Sequence, residues 1–295
     1  MKRVLVTGAT GFIGHHVLHE LSARKDIKII AVSRRLPEPG QLPTPVEHVA
    51  LDISKPSDRE LASLGNPDVL IHLAWAGLPN YKSLHHFETH LGEQYQFLAG
   101  LIRAGLPSLV CTGTCFEYGM RSGELDESLV PDPRNPYGFA KDGLRRSLEL
   151  LRAKHSFQFT WARLFYIYGP GQSATSLLPQ LAAAVARGDS RFPMSAGEQL
   201  RDYLPVQEVA RNLVELALRC PDAGTVNICS GKPMSVRTLV EQALAQNVWN
   251  IDLELGKYPY PDYEPMAFWG SRERLDSLLL GDGKFVHGNN TQIPI

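Results

Sequence analysis

The sequence predicts an α/β fold, a doubly wound parallel sheet with a smaller C-terminal α/β lobe. Three observations predict it. Short apolar runs alternate with helical stretches through the first two-thirds of the 295 residues. A glycine-rich turn, with Gly8, Gly11 and Gly14 spaced by two residues each, directly follows the first run and heads a helical stretch. After Gly169 the texture changes: proline and glycine become frequent and the helical pieces stand apart.

Taken in order, residues 3–7, 28–33, 46–51, 69–73, 108–112 and 158–164 read as strands. Each is short and largely apolar rather than alternating, as expected when both faces of a parallel sheet are covered. Helical segments at 12–25, 56–64, 83–104 and 137–154 lie between them. That order builds a Rossmann-type sheet, whose ligands sit at the carboxyl ends of the strands. Further on, 175–187, 206–218 and 236–246 read as helices and 224–229 as a strand. Pro259, Pro261 and Pro265 mark a loop-rich end that suits a lobe closing over a substrate. The expected division is a dinucleotide-binding domain over 1–168, with 205–230 returning to it, and a substrate-binding lobe over 169–204 and 231–295.

Composition narrows the partners. Hydrophobic residues make up 43% and charged residues 21%, ordinary for a globular chain. The net charge of −1 supplies no field toward nucleic acid or an anionic membrane, so an anionic ligand must be held by local arginines and backbone amides. No apolar run approaches the roughly 20 residues that span a bilayer. The first strand begins at once, leaving no room for a signal peptide. Cys111, Cys115, Cys220 and Cys229 form no CxxC pair or disulfide framework. These features lead us to expect a cytoplasmic protein with no nucleic-acid or membrane partner.

The glycine turn allows the backbone to approach a pyrophosphate, while the helix behind it supplies amide donors and positive potential. Its alternative is a tight turn with no ligand. Folds of this kind that prefer NAD place an acidic residue at the end of the second strand. Here Ser33, Arg34 and Arg35 stand there, and an arginine can pair with a 2′-phosphate, which favours NADP(H) over NAD(H). Two solvated surface arginines are the alternative. Asp52 and Ile53 follow the third strand, where a carboxylate can bond adenine and an aliphatic chain can cover the ring. His72, Leu73, Ala74 and Trp75 close the fourth strand beside the cofactor; Trp75 reads equally as a packed core residue.

Tyr137 and Lys141, in YGFAK, sit four apart at the head of a helix and share a face. A nearby ammonium stabilises phenolate and lowers a tyrosine pKa from about 10. The same lysine can hold the nicotinamide ribose. Tyrosine so placed can protonate a carbonyl oxygen while hydride reaches the carbon. Tyr-x-x-x-Lys is common by chance; its position after the fifth strand, behind CTGTCFEYG, singles it out. Thr114, at that strand's end, can bond the same substrate oxygen.

Together, TGATGFIG, Leu51-Asp52-Ile53, HLAWAG, GTCFEYG, YGFAK, RLFYIYGPGQ and RDYLPVQEVA fall in the order and spacing of the extended short-chain dehydrogenase/reductases of the NAD-dependent epimerase/dehydratase type. The resemblance spans residues 1 to about 231. It implies a catalytic Thr114–Tyr137–Lys141 set and a nicotinamide cofactor in the N-terminal lobe. It also implies a nucleotide-sugar substrate and a homodimer through a helix bundle. It adds Thr10, Phe12, Ile13, Thr112 and Leu164 to the expected cofactor contacts, and Cys115, Tyr166, Arg201 and Arg272 to the substrate side. For Arg201 and Arg272 the role is a nucleotide diphosphate contact; a structural ion pair is the alternative for each.

The departures matter. Sugar-nucleotide 4,6-dehydratases of this type have an acidic pair after the threonine, where this chain has Cys115 and Phe116. Neither does acid–base work on a sugar hydroxyl, which argues against dehydration. Tyr166 and His90 replace two asparagines common in the family, and the short length also departs from its epimerases. The chain most resembles nucleotide-sugar 4-ketoreductases. The expected activity is NADPH-dependent reduction of a dTDP- or GDP-linked 4-keto-6-deoxyhexose. The alternatives are an NAD(P)-dependent nucleotide-sugar epimerase and a cofactor-sensing scaffold, the latter having no need of an intact Thr114, Tyr137 and Lys141. The histidine groups His15, His16, His19 and His85, His86, His90 read as surface or packing residues, with no metal site expected.

Overall fold

The computed structural model describes residues 1–280 and 293, apart from 36, 39–41 and 44. Residues 281–292 and 294–295 of the expected C-terminal lobe lie outside the described residues. The order begins β1 (Lys2–Thr7), α1 (Phe12–Ser22), β2 (Ile27–Ser33), β3 (Glu47–Ala50), α2 (Asp58–Ser63) and β4 (Val69–His72). A π-type turn (His86–His90) leads into α3 (Leu91–Arg103) and β5 (Ser108–Thr114). A 3-10 turn (Cys115–Tyr118), β6 (Gly123–Leu125), α4 (Pro136–Arg152), β7 (Gln158–Leu164) and β8 (Tyr166–Tyr168) follow. Then come α5 (Leu177–Arg187), β9 (Arg191–Pro193), β10 (Leu200–Pro205), α6 (Val206–Arg219) and β11 (Gly224–Ile228). β12 (Pro233–Ser235), α7 (Val236–Asn247), β13 (Asp252–Glu254), β14 (Phe268–Gly270) and α8 (Glu273–Leu280) complete the described chain.

Seven strands form the central sheet in the order β11-β7-β5-β4-β1-β2-β3, and every neighbouring pair is parallel. In the inner strands consecutive residues alternate between two cores, which is why those strands are largely apolar; the edge strand β3, EHVA, has no fully buried residue. Val4, Val6, Ile29 and Ala31 face one core with Val17, Leu18 and Leu21 of α1 and Val209 and Leu213 of α6. Leu5, Ile30 and Val32 face the other with Phe97, Leu98 and Leu101 of α3 and Leu144 and Leu148 of α4. Burying each such side chain contributes about 1.5–3 kcal/mol. No helix among the described residues is long and apolar enough to cross a membrane.

The second part of the chain returns twice to this sheet. β11 pairs with β7, and α8, within the 231–295 segment, packs Leu275 and Leu279 into the first core. A three-stranded sheet β12-β10-β8 and the pair β13-β9 make up the smaller lobe, around a third core containing Leu178, Leu181, Phe192, Leu239 and Val240. The single long helix expected over 83–104 is interrupted: the π-type turn precedes α3 and inserts one extra residue per turn. That insertion changes which residues face inward, with consequences for His86 below.

Candidate functional site

The carboxyl ends of β1, β4, β5 and β7 open onto a cleft of about 740 Å³. It lies where the strand order reverses about β1 and β4, the usual binding crevice of such sheets. Gly8, Thr10, Gly11, Phe12, Ile13 and Gly14 line one end. Gly8 has φ +67°, and a Cβ there would lie 2.9 Å from the Ala74 amide nitrogen. A Cβ at Gly14 would lie 2.1 Å from the Gly8 carbonyl oxygen, so glycine at 14 lets the helix meet the turn, as glycine at 8 lets the turn meet the end of β4. Gly11 caps α1 without a side-chain bond, and the first turn carries no acid. Those free amide donors and the helix dipole suit a phosphate group. The cleft therefore fits a dinucleotide.

Ser33, Arg34, Asp52 and Ile53 line the same end. The Asp52 carboxyl is held below its ordinary pKa first by hydrogen bonds from Ser54, with Arg34 among the lesser causes. Arg35 is exposed and outside the wall; its carbonyl accepts from the Ser33 hydroxyl at 2.7 Å. Leu73, Ala74, Trp75 and Leu164 continue the wall inward. Thr112 does not reach it: its hydroxyl donates to the His72 carbonyl at 3.3 Å, and its carbonyl accepts from the Lys141 ammonium at 2.8 Å. His72 is buried between the Thr7 hydroxyl at 2.8 Å and Gln94 at 2.7 Å. Burial, with the Lys141 charge, lowers its pKa to about 3, so its ring is neutral.

At the inner end stand Thr114, Cys115, Phe116 and Tyr137. Thr114 ends β5, where its backbone amide donates to the Glu117 carboxylate at 2.8 Å. That carboxylate is fully buried and also accepts from Trp161 Nε1 at 3.0 Å and Arg163 Nε at 2.7 Å. Tyr137 is the second residue of α4, whose N-cap Asn135 accepts from the Gly138 amide at 2.8 Å. The Tyr137 amide donates to the Tyr81 carbonyl at 3.2 Å. Lys141 follows one turn later, 2% exposed, with Nζ 5.9 Å from the centre of the Tyr137 ring and 4.1 Å from the centre of the Trp75 ring.

The electrostatics depart from expectation in one respect. Burial raises the Tyr137 pKa well above 10, Tyr81, Glu117 and Cys115 add to the rise, and a hydrogen bond with Thr114 opposes it. Desolvation thus outweighs the nearby ammonium, and Tyr137 is a phenol in the free protein. Lys141 shows the same effect with the opposite sign: burial lowers its pKa to about 8. The Cys115 thiol is pushed up by burial and stays protonated.

Two expected substrate contacts require correction. Arg201 is buried and ion-paired with Glu264 at 2.8 Å, and donates to the Leu200 carbonyl at 2.8 Å. It lies behind Tyr166, its guanidinium 5.7 Å from that ring, so that Tyr166 rather than Arg201 forms the cleft wall. Arg272 donates to the Cys229 carbonyl at 2.7 Å and pairs with Asp276 at 2.8 Å, away from the cleft. In both cases an internal partner has taken the charge. Of the histidines read as surface or packing residues, His85 and His90, the latter in place of a family asparagine, line the wall and His86 is buried behind it; Tyr81, Glu93, Gln94 and, behind the wall, Glu117 escaped the sequence reading. Only Glu117 had a local signal, the Thr-x-x-Glu pattern of a capping box, which Thr114 and Glu117 form. Among the described residues no group of three or more His, Cys, Asp or Glu could hold a metal ion.

Residues 4–229 match the model of the NAD dependent epimerase/dehydratase family. The chain is 30% identical to a dTDP-6-deoxy-L-talose 4-dehydrogenase (NAD(+)) of Aggregatibacter actinomycetemcomitans, over 91% of this chain and 99% of that protein. It is 26% identical to a GDP-6-deoxy-D-mannose reductase of Pseudomonas aeruginosa, over 88% and 84% respectively. Among solved structures, MoeE5 in complex with UDP-glucuronic acid and NAD superposes with a TM-score of 0.79 at 26% identity, covering 94% of this chain and 92% of that one.

Proposed function

The chain belongs to the NAD dependent epimerase/dehydratase family, and from that premise we propose that it reduces the 4-keto group of a dTDP- or GDP-linked 4-keto-6-deoxyhexose, with NADPH as the preferred reductant. The observation that carries this reading is the make-up of the inner wall. Thr114 and Tyr137 stand there beside Cys115 and Phe116, which supply no acid–base pair for eliminating water. What remains is chemistry at one carbon, a hydride with a proton. The relatives named for oxidation or reduction of 6-deoxy nucleotide sugars support the same class.

The nicotinamide supplies the hydride when bound. Gly8, Gly11, Gly14 and the start of α1 would hold its pyrophosphate, and Arg34 the 2′-phosphate that separates NADPH from NADH. Tyr137, protonated in the free protein, donates its proton to the forming C4 alkoxide. Thr114 orients that oxygen through its hydroxyl, its own backbone held by Glu117. Lys141, as an ammonium, would stabilise the phenolate left on Tyr137; with the Trp75 ring over it, it stands behind the cleft wall rather than against the expected nicotinamide ribose.

A homodimer belongs to the same proposal. Phe139 of α4 and Leu150 are 54% and 75% exposed, and Phe87 lies 5.7 Å from Phe139, leaving an apolar face on the α3–α4 side. A nucleotide-sugar epimerase is the second reading, supported by the family itself. It would oxidise and re-reduce one carbon and so retain its cofactor through purification.

The test follows the absorbance of NADPH and, separately, NADH, with dTDP-4-keto-6-deoxyglucose or its GDP-linked mannose counterpart. We expect consumption with one of the two sugars, faster with NADPH, and its loss in Tyr137→Phe. A fully active Tyr137→Phe would end this mechanism. NADH preference, as in the name of the talose relative, would overturn the role given to Arg34. No consumption with either sugar, together with copurifying cofactor, would favour the epimerase.

A further inference from the structure

A buried cation normally has a carboxylate beside it, because desolvation of an unpaired charge is costly. Lys141 has none within ion-pair distance among the described residues: Glu117 acts on it only from further off, and its one hydrogen bond goes to the Thr112 carbonyl, at 2.8 Å. The face of Trp75 stands over the charge at 4.1 Å. Trp75 lines the cleft and Lys141 does not, so the indole covers the ammonium on its open side.

The indole is fixed. Its Nε1–H donates to His86 Nδ1 at 3.1 Å, and His86 Nε2–H donates in turn to the Asn80 carbonyl at 2.9 Å. These bonds require one tautomer of a neutral ring, consistent with burial lowering the His86 pKa. The π-type turn brings His86 inward to 1% exposure, and Gly77, at φ +84°, passes so close that a Cβ would lie 3.2 Å from the ring. Trp75 and His86 also flank Tyr137, at centroid distances of 5.9 and 5.3 Å.

We propose that Trp75, clamped by His86, is a positioning residue for Lys141: its indole face holds the ammonium charged and in place behind Tyr137 by cation–π attraction. The inference rests on the reading of Lys141 as the group that stabilises the phenolate of Tyr137. Other titratable groups facing Lys141 are Cys111 on β5, Glu117 after it, His72 on β4, His86 and Tyr137. Cys111 is raised to about 12 and His72 lowered to about 3, so neither changes state between pH 6 and 9. Glu117 is committed to Arg163.

The test compares Trp75→Leu, Trp75→Phe and Lys141→Met. For turnover at saturating cofactor and sugar, the alkaline limb in Trp75→Leu moves down by about one pH unit from its place near 8, with about a fivefold loss of kcat at pH 8 and about tenfold at pH 9. Trp75→Phe keeps an aromatic face, so its kcat falls but its limb stays where the unmutated enzyme has it. Without cofactor, the fluorescence difference between the unmutated protein and Trp75→Phe shifts with pH around a midpoint near 8. That shift is absent on the Lys141→Met background. An unmoved limb in Trp75→Leu beside an inactive Lys141→Met, or an indole emission that ignores pH, overturns the inference and leaves the proposed reaction standing. A fully active Lys141→Met overturns the role of Lys141 itself.

Discussion

Glu117 shows how far one side chain can govern the site without touching its ligand. Its fully buried carboxylate binds the Thr114 amide, the Trp161 indole and Arg163, which is itself 2% exposed. Gln at this position keeps the shape but removes the charge, and turns an amide donor toward groups that also donate. Arg163 is then a buried cation without a counter-ion, the arrangement for which loss of one partner costs about 3–5 kcal/mol. Glu117→Gln is therefore expected to lower the free energy of unfolding, measured in urea, by that amount and to reduce kcat through Thr114. Adding Arg163→Met should recover part of the stability. A loss below about 1 kcal/mol would show that Arg163 has another outlet for its charge. The sequence marks Thr114, Tyr137 and Lys141 because their chemistry is carried by residue type and local spacing. Arg201 and Arg272 carry the same residue-type signal for an anion. Their partners Glu264 and Asp276 are set by tertiary contact, and residue type alone could not distinguish the two uses.

Elements were legible where their signal was long. The inner strands of the central sheet follow from apolar runs of four residues or more, and the helices between them from longer helical stretches; β3, EHVA, is mixed in character and lies at the sheet edge. β6, β8, β9, β12, β13 and β14 have three residues each, too few for a period of two to appear. The π-type turn was invisible for a different reason: it changes which residues of a helical stretch face inward, and only packing of His86 against Trp75 and Gly77 selects it. The helix expected from residue 137 begins one residue earlier, at Pro136, behind the N-cap Asn135. That cap has a functional consequence. Tyr137 lies two residues after Asn135, and its backbone is tied by its own amide to Tyr81 and by the next amide to Asn135. Asn135→Ala should cost about 1 kcal/mol of stability. It should lower kcat about tenfold with little change in the sugar KM, as the proton donor loses its fixed position while the cleft keeps its walls. Asn135→Ser, an equivalent cap, should restore both. If the serine variant remained as slow as the alanine one, the role of the cap in placing Tyr137 would be lost.

For the whole molecule, the buried charge of Lys141 couples catalysis to stability. Its pKa is about 8 in the folded protein and about 10.4 in an unfolded chain. Between those values the unfolded state binds more protons than the folded one, so this group makes stability rise with pH. Below pH 8 both states are protonated and the folded protein carries the full penalty, about 3 kcal/mol from a shift of this size. Other groups act in the opposite direction. Cys111 is raised to about 12, and Tyr137 is raised as well, so both stay protonated in the folded state after the unfolded chain has lost its protons. They make stability fall at alkaline pH, and a curve for the unmutated protein mixes the two trends. Comparison with Lys141→Met removes the mixture, because the thiol and phenol contributions are common to both chains. Methionine also loses the bond to the Thr112 carbonyl, but that offset does not vary with pH. The stability of Lys141→Met relative to the unmutated protein is thus expected to fall by about 3 kcal/mol between pH 7 and pH 10.5, measured by urea unfolding at each pH. A difference that stays flat across that range would mean that Lys141 has its ordinary affinity for a proton in the folded state. It would then be charged at every working pH with or without the indole above it. The turnover of the Lys141→Met protein separates the two uses of the residue, since a chain that gains relative stability at pH 7 and loses activity there has been retaining an unpaired charge for chemistry.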